Sequence, residues 1–115
     1  IRDRALAAIV AGDAALLAEL RQLPDLAGDL MRRAEPVAER YGRDEGIQRI
    51  TYLGSGPAYG LANEATVKMK EMSLSYSEAF HTLEFRHGPM SMVNERTLVV
   101  GLLSEQARTQ EFVLR

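Results

Sequence analysis

Directly after Gly46 the hydrophobic period of the chain changes, and this change limits the folds open to it. Residues 47 to 53, Ile47 through Leu53, read as a short β-branched strand. Gly54-Ser55-Gly56-Pro57 is a tight turn, with Pro57 suited to the first position of a helix. Ala58 to about Met72 is then helical, with Ala58, Ala62, Ala65, Met69 and Met72 on one apolar face. Residues 73 to 94 are less regular. Thr97 to Leu103 is a nearly continuous apolar run, as in a buried parallel strand. Ser104 is placed to cap a final helix that starts near Glu105 and runs past Glu111. Strand, helix and strand in that order predict a parallel α/β unit.

The residues ahead of Gly46 predict two helices. Ile9, Val10, Leu16, Leu17 and Leu20 recur at helical spacing, and Leu23-Pro24-Asp25 is expected to break that helix. The second carries Leu26, Leu30, Ala34, Val37 and Tyr41 as an inward stripe, with a kink or split expected at Pro36. Gly42 and the run from Arg43 to Gly46 end it. No internal repeat, low-complexity stretch or coiled-coil heptad array stands out. The boundary expected is therefore 1–45 as a helical segment and 46–115 as an α/β segment. Two strands make a thin sheet, and the chain opens on Ile1 and closes on Arg115 inside a predicted helix. These features predict a piece of a longer protein.

Composition excludes several functions. The 115 residues include no cysteine, so neither a disulfide framework nor a thiolate metal site is expected, which suits a cytoplasmic protein. A net charge of −2 gives no electrostatic case for general nucleic-acid binding. No apolar run approaches the roughly 20 residues of a membrane helix, and no secretory signal is present.

Three places carry candidate chemistry. The turn Gly54-Ser55-Gly56 joins a strand end to a helix start, where ligands collect in open α/β sheets, although it matches neither a dinucleotide nor a P-loop fingerprint. Glycine there also has a purely conformational reading. Glu64, Lys68 and Glu71 share one helix face, which reads either as a solvated ion-pair ladder or as a way to present Glu71 as a base in a cleft. Glu78, in a Ser-Tyr-Ser-Glu stretch, is a second acid candidate. His87 sits in the dense run from Glu84 to Pro89, where an imidazole near neutrality can both take and give a proton. His81 and His87 lie six apart, which is not a usual metal-ligand spacing on one helix, so no metal is expected. Met69, Met72, Met90 and Met92 read as core filler.

Three segments, in this order, resemble the SIS (sugar isomerase) domain family. The likeness is greatest to the second SIS module of isomerases of the glucosamine-6-phosphate synthase type. The segments are Thr51 to Gly56, Glu64 to Glu71, and Ser77 to Phe80 followed by Leu83 to Pro89. The resemblance covers about residues 48 to 103. It implies a partial three-layer α/β/α parallel sheet of flavodoxin-like type, preceded by an interdomain helical connector. It also implies phosphosugar binding and aldose/ketose isomerisation, or amino-sugar phosphate deamination, with no cofactor. By position, Glu71 would move a proton between C1 and C2. His87 would assist ring opening in the neighbouring subunit of a homodimer. Gly54, Ser55, Gly56, Glu78, Glu84 and Arg86 would bind substrate or support the site. Arg86 stands where the family usually has lysine, and the two side chains are not geometrically equivalent. The family's phosphate-binding Ser/Thr loop and its carboxy-terminal Schiff-base lysine have no counterpart in these residues, whose only lysines are Lys68 and Lys70. A non-catalytic sugar-phosphate sensor of a regulator is the alternative reading, and a purely structural α/β module is a third.

Overall fold

A computed structural model describes residues 2–103. The chain divides into two compact units, residues 1–43 and 44–115. The predicted final helix beyond Ser104 lies outside the described residues.

The first unit is α1 (Arg2–Ala11) and α2 (Ala14–Gly42). The predicted pair of helices is present, but the break falls at Gly12-Asp13 and not at Leu23-Pro24-Asp25. Gly12 takes φ +67°, and the Asp13 side chain accepts the amide of Leu16 at 3.0 Å, so one helix ends and the next is capped within two residues. Helix α2 then runs through both Pro24 and Pro36. Each ring removes one backbone donor, which would have served the carbonyls of Leu20 and Arg32. No residue of α2 is buried, so those carbonyls are not sealed from water. The stripe expected to face inward is exposed: Leu26, Leu30 and Val37 are all open to solvent within this unit.

The second unit holds β1 (Arg49–Gly54), α3 (Pro57–Ser73), β2 (Tyr76–His81), α4 (Thr82–Phe85), a 3₁₀ turn (Pro89–Met92) and β3 (Thr97–Gly101). The sheet is parallel, in the order β2-β1-β3. Tyr76 and Thr97 flank Arg49, and His81 lies beside Gly54. The parallel α/β class predicted from sequence is the one observed.

Strand β2 lies in the stretch predicted to be irregular. Its residues toward α3 are Ser77 and Ala79, too small and too polar to read as a core face. Ser77 is nonetheless fully buried, and its hydroxyl donates to the carbonyl of Thr66 in α3 at 3.0 Å. Thr66 is itself buried, its hydroxyl within 2.9 Å of the Ala62 carbonyl and 2.7 Å of the Asn63 carbonyl. The inward face of α3 is thus Ala62, Thr66 and their neighbours. Met72, predicted inward, is 81% exposed. Strand β3 is half-buried rather than enclosed, with one neighbour among the described strands.

Small side chains let helix and sheet approach closely, and the tightest point is Gly54. A Cβ there would sit 2.4 Å from the Ala58 carbonyl oxygen, in the first turn of α3. That neighbour is backbone and cannot swing aside. Gly54→Ala is therefore expected to destabilise the fold by about 1–3 kcal/mol in a denaturant titration, as overpacking does. Thr82 poses the opposite case. Its hydroxyl is buried and has no hydrogen-bond partner among the described residues. Thr82→Val keeps the shape and removes the unsatisfied group, so the melting temperature should hold or rise.

Candidate functional site

Helix α3 leaves the carboxyl edge of the sheet and runs back toward the amino edge, so its two ends serve different surroundings. At its start, Gly54-Ser55-Gly56 forms the turn. The amides of Ala58 and Tyr59 bond to the carbonyls of Ser55 and Gly56, and Gly56 takes φ +56°. With β1 central, β2 reached through α3 and β3 on the other side, this turn lies at the point where the strand order reverses. Crevices outside the carboxyl ends of such strands are the usual ligand positions. His81 closes β2 at the same edge, and its ring stacks on Tyr59 with centroids 3.8 Å apart. His81 was not among the residues expected at the site. Its one signal was its place at the end of a strand, and that strand was not recognised.

At the other end of α3 stands Glu71, about 22 Å from Gly56 at the helical rise of 1.5 Å per residue. Lys68 lies 3.1 Å from Glu71 and 3.5 Å from Glu64, so the three form the ion-pair ladder their spacing predicts. The Glu71 side chain is 60% exposed. Its hydrogen bond to Lys68, followed by the charges of Glu71 and Glu64, holds the lysine's pKa above its ordinary value.

The opposite face of the sheet carries a cavity of about 310 Å³. Its floor is Arg49, Thr51, Tyr76, Glu78 and Thr97, and Phe85, Pro89 and Val93 overhang it. The Tyr76 hydroxyl donates to Glu78 at 3.0 Å, and this bond chiefly raises the phenol's pKa. The Arg49 guanidinium lies 5.8 Å from the centre of the Tyr76 ring. A cation, a phenol and a carboxylate are thus strung along the cavity floor, a surface suited to polyhydroxylated or charged ligands. Arg49 and Tyr76 were not among the residues expected at the site. Their pairing becomes visible only once β1 and β2 are set in register.

The remaining expected residues fall in the segment that overhangs this cavity. Glu84, Arg86 and His87 are exposed. The amide of His87 bonds to the Glu84 carbonyl at 2.9 Å, which ends the short helix α4 and turns the imidazole outward before Gly88-Pro89. Neither Glu71 nor His87 lines the cavity. Within this unit the expected residues therefore form separate groups: the glycine turn with His81, Glu71 with Lys68, and Glu78 with Tyr76. Among the described residues no three His, Cys, Asp or Glu side chains are gathered as metal ligands, and no helix is long and apolar enough to cross a membrane.

Comparison with known proteins agrees with this architecture. A glutamine–fructose-6-phosphate aminotransferase (isomerizing) from Caldanaerobacter subterraneus is 31% identical over 90 residues, covering 78% of this chain and 15% of that protein. A putative D-galactosamine-6-phosphate deaminase from Streptomyces coelicolor is 36% identical over 110 residues, covering 86% of this chain and 29% of the relative. The chain thus spans less than a third of the length of these relatives. Among solved structures, a glucosamine-6-phosphate deaminase from Thermotoga maritima superposes with a TM-score of 0.77 at 32% identity, covering 96% of this chain and 34% of that one. The carboxy-terminal domain of the Francisella tularensis aminotransferase shares the fold, with a TM-score of 0.71 at 24% identity over 89% of this chain and 28% of that one. The SIS domain model matches residues 46–113. With a parallel sheet in the order β2-β1-β3, a glycine turn at its reversal point and relatives at this level of identity, the chain belongs to the SIS domain family.

Proposed function

We propose that the chain is part of a cytoplasmic, homodimeric enzyme that interconverts phosphorylated ketoses and amino-aldoses, and that Glu71 and His87 carry its proton transfers. The observation behind this reading is the ordered set of motifs, Thr51–Gly56, Glu64–Glu71 and Leu83–Pro89, within a chain whose relatives are named for amino-sugar phosphate chemistry. In the proposed reaction His87 assists opening of the sugar ring. Glu71 then takes a proton from C1, leaving an enediol or enolamine, and returns it to C2. Proton transfer at carbon requires the carboxylate within hydrogen-bond reach of both atoms. The exposure of Glu71 and His87 supports a site completed by other surfaces. A group that projects from its own unit is available to a cleft closed by a second module or subunit. Residues 1–45 would then join this module to another. Glu84 and Arg86, beside His87, would support substrate binding, while Gly54, Ser55 and Gly56, about 22 Å from Glu71 along α3, and Glu78, on the other face of the sheet, would do so at a different site of the assembly.

The test uses the full-length protein that carries this chain, assayed with fructose-6-phosphate and glucosamine-6-phosphate. Glu71→Gln should lower kcat by about 10²–10⁴ with its fold intact. Turnover equal to the parent's would remove Glu71 from the reaction. Phosphosugar binding in calorimetry without turnover by the parent protein would favour the sensor reading. If His87 serves the neighbouring subunit, mixing Glu71→Gln and His87→Asn proteins should restore activity to about a quarter of the parent's, because half of randomly mixed dimers hold one intact site of two.

A further inference from the structure

The face of the sheet away from α3 is polar where a core is expected. By the right-handed rule, α3 crosses one face between β1 and β2, and the return from β2 past β1 to β3 crosses the other. Along that second face β1 presents Arg49, Thr51 and Leu53 in turn, and β2 presents Tyr76, Glu78 and Phe80. The crossing segment is short, a four-residue α4 and a four-residue 3₁₀ turn. It closes the carboxyl half of the face. There Leu53 and Phe85 are buried, and the rings of Phe80 and Phe85 lie 5.7 Å apart between centroids. The amino half stays hollow, as the cavity of about 310 Å³.

The polar groups of this hollow are incompletely matched. Thr51 lines it at 7% exposure, and its hydroxyl makes no hydrogen bond among the described residues. A buried hydroxyl in that state costs free energy unless an occupant meets it. Arg49 has no ion-pair partner among the described residues, although Glu78 stands on the neighbouring strand two residues along. Tyr76 keeps the two apart. Its ring takes the guanidinium, and its hydroxyl takes the carboxylate. The floor therefore offers one cation and one anion, separated by a phenol, with the Thr51 hydroxyl beside them.

We infer that this cavity is a second binding site, for the amino-aldose phosphate of the proposed reaction, apart from the place where Glu71 and His87 act. The identity of the ligand rests on that reading; the existence of the site does not. A guanidinium binds a phosphoryl group through paired N–H···O bonds, and a carboxylate binds an ammonium through a charge-assisted one. An amino-hexose phosphate carries these two groups at opposite ends of one ring, with hydroxyls between them for Thr51. An α-amino acid carries both charges on one carbon, a poor match to charges a phenol apart. A sugar phosphate without nitrogen brings only negative charge to Glu78. The volume lies at the low end for small-molecule sites, which suits a single sugar and not a nucleotide. Phe85 and Pro89 stand two residues to either side of His87, and both touch the cavity. An occupant therefore braces the segment that carries the imidazole, so accumulated product would act back on ring opening.

The test is calorimetry with glucosamine-6-phosphate on the full-length protein that carries this chain, with Glu71→Gln to stop turnover. A second molecule should bind per chain. Arg49→Gln should remove it, and Arg49→Lys, which keeps the charge but not the fork, should weaken it roughly tenfold. Glucose-6-phosphate, with a hydroxyl in place of the ammonium, should bind there roughly tenfold more weakly, and Glu78→Gln should abolish that preference. Glucosamine-6-phosphate should slow amide exchange across residues 85 to 93, and should not do so in Arg49→Gln. A single site per chain, a second site that survives Arg49→Gln, or equal binding of the two sugar phosphates would each overturn the inference. The two readings fail separately. Turnover by the parent with a single site removes the cavity site alone, whereas a second site in a parent that converts neither sugar phosphate removes the proposed reaction and leaves the cavity site standing.

Discussion

The closeness of α3 to the sheet is the constraint on which the second unit depends. The backbone of β1 and the first turn of α3 meet at Gly54, where no side chain fits. Farther along, the buried Ser77 hydroxyl reaches from β2 to the Thr66 carbonyl. A helix seated on alanine, threonine and serine buries little apolar surface per residue, so hydrogen bonds and close backbone contact replace bulky side chains. Among the described residues the buried apolar set is short: Leu53, Ala62 and Phe85. The hydrogen bond at Ser77 is worth more here than on a surface, because its loss would strand a polar group away from water.

This seating also sets where chemistry can occur. Because α3 returns along the strands, the glycine turn at its start and Glu71 near its end cannot serve one small ligand within this unit. The turn and His81 face the carboxyl edge. Glu78, with Tyr76 and Arg49, faces the cavity on the other side of the sheet. The proposed reaction would need a carboxylate, an imidazole and a phosphate site close together, so the groups that this unit holds apart would have to serve different sites of an assembly. Ion pairing of Lys68 with Glu71 has a corresponding sense. It keeps an exposed carboxylate oriented at low cost, since neither partner is buried and neither loses its water.

How much was legible in the sequence follows from which forces each residue reports. The glycine turn was legible because glycine and proline act through local backbone geometry, and Gly56 needs a backbone conformation that few other residues accept. The class of fold was legible because the apolar runs on either side of it have strand and helix periods. Strand β2 was not, because Ser77 is inward for a hydrogen bond rather than for apolarity, and periodicity detects only the latter. Missing β2 hid its consequences: His81 at the carboxyl edge, and the register that sets Arg49 beside Tyr76. At Pro24 a strong local rule was overridden. Proline costs a helix one bond and some strain, but the capping at Asp13 and the long run of good helix formers on both sides favour a single helix. The start of α2 is set by the Asp13 cap, and its end comes after Gly42, where the Arg43 amide bonds back to the Glu39 carbonyl, not at either proline.

The two units therefore handle apolar surface in opposite ways. The second hides little and uses small residues to bring backbones together. The first displays leucines along a helix that has no buried residue. An isolated helix in water is marginal even with favourable residues, and two prolines make α2 worse than most. Its length and its exposed stripe of Leu26, Leu30 and Val37 make physical sense only when something covers that stripe, because packing of an amphipathic face is the main source of stability for helices of this kind.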